Sequence, residues 1–213
     1  MVEIIKVEHN TQAWLDIRKT GIGGSDAAAV LGISPYKTNV ELWEEKTGRR
    51  EQKNIENSVV QYGKNAEFHL VKLFELDYPD YTVIFEKDTV FKRDFMTASL
   101  DARLARSGEG LGVLEIKTTE IHTAMAAKKW DGKIPQHYYA QILHYMIVMN
   151  AMYAFLKVQM KETDERGFCE LTTRHYKFQR ADVLKDMKHL YLKEKEFWGY
   201  VERNERPPEK FKI

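Results

Sequence analysis

Asp101, Glu115 and Lys117 are the side chains in this sequence best suited, by type and spacing, to hold a divalent cation beside a phosphodiester. The last two stand in Leu114-Glu115-Ile116-Lys117. Side chains alternate along a strand, so Glu115 and Lys117 share one face and Ile116 takes the other. Two carboxylates brought together repel each other unless a cation lies between them. Oxygen ligands favour Mg²⁺ or Mn²⁺, ions that also suit phosphoryl chemistry. Glu-x-Lys by itself is a common surface charge pair. Its setting argues for more: Leu114 and Ile116 are apolar, and Met96 to Ala102 is small and apolar around Asp101. An acid on such a strand is expected to be at least partly buried, which is costly without a partner.

Positioning these residues requires strands at Phe95 to Leu104 and Gly112 to Lys117, joined by a loop, 105–111, that lays Asp101 beside Glu115. Tyr81 to Phe91 alternates like another strand. Val59 to Leu76 reads as a long helix with Ala66, Leu70, Leu73 and Phe74 on one side. Pro135 to Met149 reads as a second, opened by its proline. Shorter helices are expected at Val7 to Lys19, Ala27 to Leu31 (capped by Ser25 or Asp26), Asn39 to Thr47 and His122 to Trp130. Arg49 to Glu56 reads as a charged loop. Ala151 to Met160 and Phe168 to Phe178 look like an antiparallel pair, followed by a closing helix, Ala181 to Asn204. This order implies an α/β or α+β fold, a central mixed sheet flanked by helices.

At 213 residues the chain is expected to be one domain, 1–213. Its 33 basic and 32 acidic residues leave a net charge of +1, so any nucleic-acid surface must be a local patch. A single cysteine, Cys169, makes no internal disulfide and fits a reducing compartment. No signal-peptide pattern and no membrane span is read.

Other groups carry a second meaning beside a plain one. Gly21-Ile22-Gly23-Gly24, between Arg18 and Ser25, could let backbone amides approach an oxyanion, with Arg18 gripping a phosphate; it could equally be a turn needing positive φ. Glu67 either borders the buried face as a third carboxylate or is a solvated helical acid. Gln141 and Tyr145 share a helix face at i and i+4 among apolar neighbours. Gln141 therefore needs a polar partner, either at a site or on the protein backbone. His137, His144 and His175 lack metal spacing. Met146, Met149 and Met152 read as core. Cys169 has no evident histidine to activate it.

The ordered set Trp14-Leu15-x-x-Arg18, Gly21-Ile22-Gly23-Gly24-Ser25-Asp26, Gly63-x-x-x-Glu67, Ser99-x-Asp101, Glu115-x-Lys117 and Gln141-x-x-x-Tyr145 closely resembles the phage lambda-type exonuclease, or YqaJ viral recombinase, family. That family lies within the PD-(D/E)xK nucleases. The resemblance runs from about Trp14 to Tyr145, with Leu100-Asp101 in place of the superfamily's proline-aspartate. It implies a restriction-endonuclease-like core and a Mg²⁺-dependent enzyme, with two ions and Mn²⁺ as a substitute. Such an enzyme digests linear double-stranded DNA from the 5′ end, releasing 5′ mononucleotides and leaving a 3′ strand for recombination. It further implies Asp101, Glu115 and the Ile116 carbonyl as metal ligands, with Glu67 assisting directly or through water. Lys117 would orient or activate water, Gln141 would support the site, and Arg18, Ser25 and Ser99 would hold the 5′ phosphate. A homotrimeric ring, a single-strand-annealing recombinase as partner and the cytoplasm of a bacterial host of phage or prophage complete the expectation. An endonuclease of the same superfamily and a non-catalytic DNA-binding module are the alternatives.

Overall fold

The strand bearing Glu115 and Lys117 is paired on both sides, and the rest of the molecule is arranged about it. The computed structural model describes residues 1–52 and 57–210. Its strands are β1 (Glu3–Lys6), β2 (Ile22–Gly23), β3 (Thr82–Phe85), β4 (Thr89–Arg93), β5 (Met96–Ala98), β6 (Ala102–Arg106), β7 (Gly110–Glu120), β8 (Tyr153–Thr163) and β9 (Cys169–Gln179). Its helices are α1 (Gln12–Lys19), α2 (Ala27–Leu31), α3 (Asn39–Lys46), α4 (Ser58–Asp77), α5 (Ala124–Lys128), α6 (Gln136–Met149) and α7 (Arg180–Glu202).

The expected mixed sheet is five-stranded, in the order β3-β6-β7-β8-β9. β7 runs antiparallel to β6 and parallel to β8. Its even residues Leu114 and Ile116 pack under α4 with Leu70, Val71 and Phe74. On the other face Val113 joins Leu156 and Val158 beneath Ile142, Leu143 and Met146 of α6. A second mixed sheet, β1-β4-β5-β2, completes this α/β architecture.

Several expected boundaries shift for identifiable reasons. The extended stretch 95–104 is two strands in two different sheets, and Ser99-Leu100-Asp101 crosses between them. Asp101 substitutes for a ladder partner here: its Oδ2 accepts from the Ile116 amide at 2.6 Å, just beyond the start of β6. Tyr81 to Phe91 likewise divides into β3 and β4, with Asp88 in the left-handed region at the turn. The β6–β7 connection is tighter than 105–111, because Gly108 and Gly110 both take positive φ. The first helix begins only at Gln12, since Glu3–Lys6 pairs with β4. Leu73 and Met152, expected in the core, are 47% and 49% exposed; Val71 takes the buried place on α4. Within the charged stretch 49–56, residues 53–56 lie outside the described residues.

Candidate active site

Glu115 is 4% exposed, on the β7 face turned toward α6. Its Oε1 accepts from Lys117 Nζ at 2.5 Å and from Gln141 Nε2 at 2.7 Å. Gln141 Nε2 also donates to the Tyr145 hydroxyl at 2.9 Å, so the i and i+4 pair of α6 works as one unit. The polar partner of Gln141 is thus a carboxylate and a phenol. Lys117 is held a second way, with Nζ 5.2 Å from the centroid of the Tyr138 ring.

The electrostatics follow from three acids in one place. Burial pushes the Asp101 carboxyl well above its ordinary range, and the charges of Glu115 and Glu67 push it further. Burial likewise raises Glu67, aided by Glu115. It raises Glu115 too, against the pull of Lys117. Burial alone would lower Lys117; Glu115 and Asp101 outweigh it and hold the ammonium above its usual value, so Lys117 is a fixed cation here. Glu67 and Lys117 also line one cavity of 320 Å³ with Gly63, Thr118, Tyr36 and Tyr138.

This donor set fits a hard divalent cation. Glu115 Oε2 is buried and has no hydrogen-bond partner among the described residues, an expensive state for a carboxylate oxygen. Among the described residues no three His, Cys, Asp or Glu side chains close into a metal cage. Mg²⁺ does not require one: it takes one or two carboxylates and fills the remaining positions with water and substrate phosphate.

The glycine turn leads into the same site. β2 pairs in parallel with β5, Gly23 opposite Thr97, and the chain then enters a 3-10 turn, Gly24–Asp26, that carries Ser25, while Ser99 directly follows β5. Arg18 donates from its guanidinium to Ser25 Oγ at 3.2 Å and lies 4.7 Å from the Trp14 ring centroid. Close approach, not positive φ, is what these glycines serve. None of Gly21, Gly23 and Gly24 takes positive φ. A Cβ on Gly24 would lie 2.3 Å from Tyr145 Cε1, and one on Gly21 would lie 2.9 Å from the Phe95 carbonyl oxygen.

Neither Ser25 nor Asp26 caps α2 through its side chain. Asp26 instead accepts from Lys46 Nζ at 2.7 Å and from the Gly23 amide at 3.1 Å. Arg18 and Lys37 each approach its other oxygen to 3.6 Å. Burial would raise the Asp26 carboxyl; Lys46, Arg18 and Lys37 overcome that and hold it far below the usual range. Lys46 is 8% exposed and also donates to the Arg18 carbonyl at 2.7 Å. This buried knot beneath the turn has no local cue in the sequence, because Lys46 is the last residue of α3, where a basic side chain is ordinary. His144, expected to be a structural or surface residue, is buried between Glu194 (Nδ1, 2.8 Å) and the Thr97 carbonyl (Nε2, 2.9 Å), which ties α6 to α7 and β5.

Residues 13–152 match the YqaJ-like viral recombinase domain. The chain belongs to that family. It is 30% identical over 201 residues to YqaJ of Bacillus subtilis (strain 168), covering 90% of this chain and 56% of that protein. It is 36% identical over 69 residues to protein D345L of African swine fever virus (strain Badajoz 1971 Vero-adapted), covering 32% of this chain and 20% of that protein. The chain therefore spans about half the length, or less, of these curated relatives. In fold it is similar to LHK-Exo, an alkaline exonuclease from Laribacter hongkongensis, with a TM-score of 0.59 at 15% identity over 91% of this chain and 95% of that one. LHK-Exo in complex with dAMP superposes with a TM-score of 0.58 at 16% identity. A phage-related exonuclease from Haemophilus somnus 129PT gives 0.54 at 13% identity over 89% of this chain and 98% of that one. At these identities the likeness establishes the nuclease fold. No helix among the described residues is long and apolar enough to cross a membrane.

Proposed function

We propose that this chain is a metal-dependent 5′-to-3′ exodeoxyribonuclease that degrades linear double-stranded DNA to 5′ mononucleotides and leaves a 3′ strand for recombination. The observation that carries the reading is Glu115 held between Lys117 and Gln141, with Asp101 fixed on the Ile116 amide beside it. Structures named as exonucleases share the fold, which supports the same reading.

Asp101, Glu115 and the Ile116 carbonyl would hold Mg²⁺, or Mn²⁺ in its place, with Glu67 assisting at a second position directly or through water. The bound cation supplies positive charge to the scissile phosphate and acidifies a water. The remaining work belongs to side chains. Gln141 fixes the orientation of Glu115 and is itself fixed by Tyr145. Lys117, a permanent cation in this arrangement, orients the attacking water and faces the charge that builds on phosphorus. Arg18, with Ser25 and Ser99, receives the terminal 5′ phosphate through charge-assisted hydrogen bonds. These contacts go to the DNA backbone, so base preference is slight. A homotrimeric ring and a single-strand-annealing recombinase as partner complete the proposal. A ring would account for sustained digestion by a subunit of net charge +1.

The test is digestion of linear duplex DNA with a 5′ phosphate, the same DNA with a 5′ hydroxyl, and a covalently closed circle, each with Mg²⁺ or EDTA. Loss of the phosphorylated strand alone, abolished by EDTA, supports the proposal. Cutting of the circle replaces it with an endonuclease, and binding without metal-dependent hydrolysis replaces it with a non-catalytic module. Sedimentation velocity tests the trimer.

A further inference from the structure

The 320 Å³ cavity beside Glu67 and Lys117 continues into a second of 480 Å³, and Tyr36 and Tyr138 line both. Tyr138 is engaged on each side: it stacks on Trp130 at 5.7 Å and faces the Lys117 ammonium. Trp130 is buried, and its carbonyl accepts hydrogen bonds from Arg174 and Tyr176, so this floor is rigid. Tyr36 is different. It meets His137 edge-to-face at 5.8 Å, yet it is 67% exposed. An aromatic ring left this open, braced on a rigid aromatic floor and continuous with a phosphodiester site, is a stacking platform for a base.

The stripe Tyr145, Gln141, Tyr138 along α6 sets the direction. Tyr145 packs on the glycine turn beside Arg18 and Ser25, Gln141 bonds Glu115, and Tyr138 meets Lys117. At ~1.5 Å rise per residue these stations are about 6 Å and about 4.5 Å apart, on the order of one nucleotide step each. With the 5′ phosphate at the first station and the scissile phosphate at the second, the third falls on the 3′ side of the bond that breaks.

We propose that Tyr36 stacks against the base of the nucleotide immediately 3′ of the scissile phosphate, the second from the 5′ end. This rests on the exonuclease reading above. The occupant is a DNA strand because the platform continues the cleft that holds Glu67 and Lys117, whose walls alternate Lys117 and Lys129 with Glu67 and Glu120.

The experiment removes the base and the ring separately. 5′-phosphorylated duplexes carry an abasic residue at the first, second or third position of the digested strand. Steady-state kcat and KM are measured for wild type, Tyr36→Ala and Tyr36→Phe, with melting temperatures to verify folding. Wild type is expected to show a KM about tenfold higher when the second base is missing. Tyr36→Ala should show that higher KM on the intact duplex and no further rise on the second-position substrate. Tyr36→Phe, which keeps the ring, should behave as wild type. Wild type indifferent to the second base while digesting normally overturns the platform, as does Tyr36→Ala that still discriminates. An effect at the first or third base instead refutes the assigned position. No digestion of any substrate by wild type removes the exonuclease reading itself, and the platform with it.

Discussion

Gly24→Ala tests the claim that the glycine turn and the Glu115 carboxylate are one mechanical unit. The added methyl would lie 2.3 Å from Tyr145 Cε1, 2.7 Å from Cζ and 3.0 Å from Cδ1. Tyr145 is 5% exposed and has no free space into which to swing. Overpacking of this kind costs ~1–3 kcal/mol. For a chain of this size each kcal/mol lowers the melting temperature by roughly 2–4 °C, so a fall of about 2–12 °C is expected. The displaced ring also carries away the 2.9 Å hydrogen bond that fixes Gln141, and with it the bond from Gln141 to Glu115. A hydrogen bond to a charged group contributes ~1.5–3 kcal/mol, so a rate loss of roughly tenfold or more follows at ~1.4 kcal/mol per decade. Gly23→Ala is the control. Gly23 sits at φ −90°, which any residue accepts, and its added carbon would meet Asp26 Oδ2 at 3.4 Å and Thr97 Oγ1 at 3.7 Å, both ordinary contacts. It should melt within a degree or two of wild type and keep most of its activity. Calorimetry and the digestion assay read both effects, and Gly24→Ala/Tyr145→Leu should recover part of the lost stability. If Gly24→Ala is as stable and as active as Gly23→Ala, the coupling is wrong. If Gly23→Ala is stable but inactive, the turn serves the ligand through its backbone instead.

Lys117→Ala should remove cleavage while leaving the fold and DNA binding in place, checked by circular dichroism and fluorescence anisotropy; retained full activity would refute its role. Arg18→Ala should lose the advantage of a 5′ phosphate over a 5′ hydroxyl, and an unchanged ratio of the two rates would show that the phosphate lies elsewhere. Asp101→Asn should raise the melting temperature in EDTA, because it removes one of three mutually repelling acids, and should abolish the stabilisation by Mg²⁺ that wild type shows; a lower melting temperature in EDTA counts against the cluster. Lys46→Met removes the nearest of the three cations around the buried Asp26, leaving Arg18 and Lys37 at 3.6 Å, and should cost roughly 3 kcal/mol by urea denaturation. The pH dependence has a definite sign. The folded pKa of Asp26 lies below its unfolded value near ~4, so its stabilisation is complete above that value and is lost as pH falls through the folded pKa. Asp26→Asn should therefore flatten the acid side of the stability profile between about pH 5 and pH 2, and an unaltered slope there excludes Asp26 as a source of it.

How much of this was legible in the sequence varied with the range of the interaction. The face shared by Glu115 and Lys117 follows from strand alternation alone, and the Gln141–Tyr145 pair from helical spacing. The two long helices were readable from periodicity within a residue, and the closing hairpin within three. The break at Ser99–Asp101 was not, because an apolar strand pattern continues on both sides of it; only the Ile116 amide, fifteen positions away, explains why the chain turns there. The purpose of Gly24 was also hidden, since the ring it accommodates lies on a helix more than a hundred positions later. The same holds for Asp26, whose partner Lys46 reads locally as a solvated helix end.

The placement of β7 bears on when, during synthesis, the protein becomes able to act. One side of β7 is completed at once by the adjacent hairpin strand β6, but the other side waits for β8, whose residues 153–161 pair with 112–120. Gln141 and Tyr145 also come later than the acids they orient. A nascent chain that has produced Asp101, Glu115 and Lys117 therefore holds the reactive groups without the brace that aligns them. On the exonuclease reading, activity is therefore expected only once α6 has docked and β8 has closed the sheet.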